Sequence, residues 1–119
     1  MKKVNLMFCL ILIVFMSSCA ATKENRISHI KSQYPQWDQA TVQNVADRNI
    51  MVGMTEEMVF EAMGKAWDIS HKGAVMTWGY GYFTGGSDGA TTQKIVYYID
   101  FRDKKVIGTR GSKESLGRR

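Results

Sequence analysis

The chain has 119 residues but only two cysteines, two histidines and one proline, and each scarcity removes a class of protein. Cys9 lies in a leading apolar stretch, so beyond that stretch Cys19 is the sole thiol and no disulfide framework is available. His29 and His71 form no spaced metal pair, and no metal site or cofactor is expected. No G-x-S-x-G elbow or comparable nucleophile pattern accompanies either histidine, so the chain is read as non-catalytic. The hydrophobic share of 45% and charged share of 23% are ordinary for a folded protein, which excludes wholesale disorder and collagen-like fibres. Length then argues for one small domain.

What is present begins with Lys2 and Lys3, followed by an unbroken apolar run from Leu6 to Met16 and then Ser17 and Ser18. A membrane-spanning helix needs roughly 18 apolar residues, so this shorter run reads as the core of a signal peptide over residues 1–18. Met16-Ser17-Ser18-Cys19 resembles the bacterial lipobox, in which small residues precede a cysteine that is acylated and becomes the new N-terminus. Cys19 is the expected lipidation site. Two or three acyl chains, palmitate among them, would hold the protein stably on a membrane where one chain would not. Ala20, in place of the Asp of an inner-membrane retention signal, points to the outer membrane.

Residues 19–33 are polar apart from Ile27 and Ile30 and read as a lipidated tether, with a short helix started by those two residues at a spacing of three as the alternative. As a coil, such a segment has an r.m.s. span of about 20 Å and a maximum of nearly 50 Å. Without Lys2 and Lys3 the charge falls to about +3, and Arg110, Lys113, Arg118 and Arg119 against Glu114 account for all of it. The folded body is then close to neutral, which argues against nucleic-acid binding. The basic C-terminal tail, residues 111–119, reads as a solvated terminus within reach of anionic lipid headgroups.

The folded part, residues 34–110, opens with Pro35 and with Asp38 as an N-cap, and the spacing of Val42, Val45 and Ala46 predicts a helix over residues 39–48. Trp37 is placed to pack on Val42 as a hydrophobic staple. Thr55 is the next N-cap, with Glu56 and Glu57 in the first turn and Gly64 at the C-terminal stop of a helix over residues 56–63. The two carboxylates are read as helix-capping charges, and Met51, Met54, Met58, Met63 and Met76 as core filling in preference to an adaptable binding surface.

After Gly64 the period changes to two. Residues 74–83 alternate as one strand, and residues 94–101 as a second with Ile95, Tyr97, Ile99 and Phe101 on a single apolar face. Residues 102–105 read as a turn, residues 106–109 as a short third strand, and residues 67–71 as a weak additional one. The glycine-rich connection from Thr84 to Thr91 joins two strands, so it is a hairpin loop and not a phosphate loop. Gly85, Gly86, Ser87, Asp88 and Gly89 are its candidate partner surface.

The order of these features, with Gly53-Met54-Thr55, a helix ending at Gly64, Trp78-x-Tyr80, a glycine-rich loop, Tyr97-x-Ile99-x-Phe101 and Lys105-Val106, resembles the BamE-like (SmpA/OmlA) lipoprotein family over about residues 34–110. The family's Gly-x-Pro after the second helix stands here as Gly64-Lys65-Ala66. The resemblance implies an α+β fold in which two helices pack on one face of a three-stranded antiparallel sheet. In it Gly53, Met54 and Thr55 set the turn into the second helix, and Trp78, Tyr80, Tyr97 and Phe101 build the sheet. It further implies a lipid-anchored, periplasmic-facing accessory of outer-membrane β-barrel assembly or envelope maintenance, binding barrel-assembly subunits or another envelope protein. The β-lactamase inhibitor proteins share a related architecture, so an inhibitor or sensor of a periplasmic enzyme is the alternative.

Overall fold

A computed structural model of the chain describes residues 18–117, and side chains from Lys23 onward. The signal-peptide reading therefore falls almost wholly outside the described residues, as do Arg118 and Arg119. Among the described residues the class is α+β, with three α-helices and one four-stranded antiparallel sheet. They fall into two compact units, one ending at Ala46 and one beginning at Asp47.

The first unit contains α1 (Ser18–Gln33) and α2 (Gln39–Ala46). The segment expected to be a flexible tether is thus a helix of 16 residues, about 24 Å long at 1.5 Å per residue. Ala20, Ala21, Lys23, Glu24 and Arg26 are strong helix formers, and Lys31 in the last turn suits the negative end of the dipole. Pro35 disfavours helical backbone at Tyr34, and the helix stops before it. The Asp38 carboxylate caps α2, accepting a 2.7 Å hydrogen bond from the Thr41 N–H that holds its pKa below the ordinary value. Trp37 stacks on Tyr34, with ring centroids 3.9 Å apart, so the ring before the cap packs backward onto the preceding turn. Ile30 in α1 and Val42, Val45 and Ala46 in α2 are buried. The second helix ends two residues earlier than its spacing predicts, because Arg48 turns into left-handed backbone at φ 56°.

The second unit contains α3 (Glu56–Met63), β1 (Asp68–Lys72), β2 (Val75–Gly85), β3 (Thr91–Arg102), β4 (Lys105–Gly111) and a 3-10 turn at Glu114–Gly117. The strands form a simple meander in the order β1-β2-β3-β4. The strand expected to be weak, β1, is a full member, paired from Asp68↔Gly79 to Lys72↔Val75. Asp103 and Lys104 form the tight turn from β3 to β4, both with positive φ, as a two-residue hairpin loop requires. The core consists of Met54, Val59, Ala62, Tyr80, Tyr97, Ile99, Phe101 and Val106.

Two bulges alter the expected faces. Tyr80 pairs with Tyr97 but Gly81 pairs with Ile95, so Val96 is an extra residue in β3 and the alternation flips there. Ile95, expected beside Tyr97, lies instead over Gly79 on the other face, where a side chain on that glycine would meet Ile95 Cγ2 at 2.9 Å. In β4 the pairing jumps from Asp100↔Gly108 to Phe101↔Val106, leaving Ile107 as the bulged residue. The C-terminal tail is also more structured than a frayed end. Gly111 closes β4, and the Lys113 ammonium donates to the Arg48 carbonyl at 2.8 Å.

Candidate partner-binding surface

The segment Gly53-Met54-Thr55 does three jobs in succession. Gly53 takes φ 92°, which a side chain would strain, and its N–H donates to the Val106 carbonyl at 2.9 Å. Met54 is 5% exposed, and its carbonyl accepts from the Val106 N–H at 2.8 Å. Thr55 bridges Lys105, and its hydroxyl accepts from the Met58 N–H at 3.3 Å, capping α3. This short segment therefore covers the free edge of β4 at its beginning. At the other end of α3, Gly64 turns at φ 78° and its carbonyl accepts a 3.0 Å hydrogen bond from the Tyr80 hydroxyl. Burial raises the pKa of that phenol and also that of Tyr97, its cross-strand neighbour.

This construction leaves apolar side chains outside. Val52 and Ile107 flank the Gly53–Val106 hydrogen bond and are 74% and 43% exposed, and Met51 beside them is 47% exposed. Next to the strip, Thr55, Glu56, Glu57, Asp103, Lys104 and Lys105 line a shallow open groove of about 270 Å³. An apolar strip with a mixed-charge rim is the usual anatomy of a protein-binding patch. Sequence reasoning placed Met51 in the core and passed over Val52 and Ile107. The one local signal was Val52 directly before Gly53, whereas Ile107 lies inside β4 and carries none.

The other face of the sheet carries a polar network across three strands. The Arg110 guanidinium holds both oxygens of Asp100, at 2.9 and 3.0 Å, while the Thr77 hydroxyl donates to Asp100 at 2.6 Å. Arg110 also lies 5.1 Å from the centre of the Tyr98 ring. The hydrogen bond from Arg110, with the Thr77 hydroxyl adding to it, holds the Asp100 carboxyl below its ordinary pKa of 3.8.

The expected loop surface proves compact and fully exposed. Gly86 N–H donates to the Ala90 carbonyl at 2.7 Å, Gly89 turns at φ 80°, and Asp88 accepts from the Ala90 N–H at 3.1 Å. Only residues 86–90 lie outside the strands, so Gly85 belongs to β2. Of the expected sheet builders, Tyr80, Tyr97 and Phe101 are buried and Trp78 packs its ring 4.8 Å from that of Phe101. The Trp78 indole N–H is buried without a hydrogen-bond partner among the described residues. Cys19 lies in α1, His29 in the same helix and His71 in β1. Among the described residues no cluster of His, Cys, Asp and Glu could hold a metal ion, and no helix is long and apolar enough to cross a membrane.

No family model, curated protein or solved structure matches this chain.

Proposed function

We propose that the protein is a lipid-anchored, non-catalytic binding module on the periplasmic side of the bacterial outer membrane. In this reading it serves as an accessory in β-barrel assembly or envelope maintenance. Cys19 is its acylation site. The observation that carries the reading is the apolar strip of Met51, Val52 and Ile107, set beside Gly53-Met54-Thr55 in a chain that also bears the lipobox-like Met16-Ser17-Ser18-Cys19. An anchored domain meets a membrane partner at high effective concentration, so a small patch suffices for binding.

The test is crosslinking of native-level protein in intact cells, followed by gentle solubilisation and identification of what is captured. Barrel-assembly subunits are expected, and Val52→Asp with Ile107→Asp should remove them while leaving the circular-dichroism spectrum unchanged. Capture of a soluble periplasmic enzyme in their place would overturn this function and favour an inhibitor.

A further inference from the structure

The two edges of the sheet are treated differently. The start of β4 is covered by Gly53–Thr55, whereas β1 has no neighbour on its outer side among the described residues. All five residues of β1, Asp68-Ile69-Ser70-His71-Lys72, are exposed. An uncovered edge presents a row of unpaired backbone donors and acceptors and is a template for a further strand.

The charges on this edge select the strand that fits. Asp68 and Lys72 stand at equal distances on either side of Ser70, with opposite signs. A two-fold axis through Ser70 sets two copies of β1 antiparallel, with Ser70 opposite itself. Asp68 then faces the partner's Lys72, and Lys72 faces the partner's Asp68. Charged ends ordinarily discourage edge pairing. In this one register both become attractive cross-strand pairs. Ile69, which is 51% exposed, lies opposite the partner's His71 and loses part of that exposure.

We propose that β1 is a self-association edge, through which two copies of this chain join their sheets into one of eight strands. The interface is isologous, so it closes at the dimer and does not propagate. Its area is small, and the contact is accordingly weak and reversible.

Ser70→Cys in the purified full chain provides the direct test. Antiparallel partners facing each other have Cα atoms about 4.5–5.5 Å apart, within disulfide range. Under a mild added oxidant, Ser70→Cys is expected to give a covalent dimer at several times the yield of Ser87→Cys at the hairpin tip or of the parent chain. Sedimentation provides the second readout. Asp68→Lys places like charges opposite each other at two points and should weaken dimerisation about tenfold. Asp68→Lys combined with Lys72→Asp should restore it. Equal crosslinking of Ser70→Cys and Ser87→Cys overturns the proposal. So does a double exchange that stays as weak as the single one.

Discussion

Gly81 has no room for a methyl group, because a side chain there would run into the Lys94 carbonyl across the bulge. Gly89 has open space around it but sits at φ 80°. The two glycines thus separate crowding from backbone strain. Gly81→Ala should cost about 3 kcal/mol, since neither strand can retreat without losing its pairing. Gly89→Ala should cost about 1–2 kcal/mol, the usual penalty for left-handed backbone in an L-residue. Denaturant unfolding of both variants checks the order, and equal losses would show that the bulge yields easily. Neither constraint was legible beforehand. Both glycines sit in a run that reads as ordinary strand and loop, and only the register across β2 and β3 distinguishes them.

At the scale of elements, legibility followed the strength of the local signal. The helix over residues 56–63 was read with its true ends because Thr55 and Gly64 are strong start and stop residues with apolar positions between them. Helix α1 was legible only as a short alternative starting at Ile27 and Ile30, because these are its only large apolar residues and helix propensity acted without periodicity. Strand β1 read weakly for a parallel reason, since Asp68, Ser70 and Lys72 occupy one face and give no apolar alternation. The bulges at Val96 and Ile107 depend on partners in other strands and leave no local mark. The exposed strip therefore went unseen, because Ile107 is outward only through its bulge and its pairing with a segment some fifty residues earlier. The three-strand network of Thr77, Asp100 and Arg110 supplies a prediction at this scale. The folded-state pKa of Asp100 is depressed, so its contribution is present above 3.8 and is lost as pH falls through the lower folded value. Stability should decline between about pH 5 and 2, and Asp100→Asn should make that decline shallower while lowering stability at pH 7. Asp38 and Glu114, also lowered, retain part of the slope in the variant. Unfolding curves across that range decide it, and an unchanged slope would remove Asp100 as a source of acid sensitivity.

For the whole molecule, the proposed anchor makes one prediction that no local variant reaches. Cys19→Ala should move the protein from the membrane fraction to the soluble one and change its electrophoretic mobility. Retention in the membrane fraction with unaltered mobility would sink the lipid-anchor reading. The helical form of residues 18–33 affects reach. If the lipid is attached at Cys19, a rod of about 24 Å sets a standoff from the surface where a coil would have allowed a broad range.

The chain is made from its N-terminus, and the meander lets each strand pair with the one just before it. The Gly53 N–H and Met54 carbonyl cannot be satisfied in this way, because both wait for Val106 in the last strand. A chain cut short after Asp103 would own three strands and α3 yet lack the residue that pins the entry to that helix. The entry to α3 is thus the last joint of this unit to close, and an early stop leaves the segment before that helix loose.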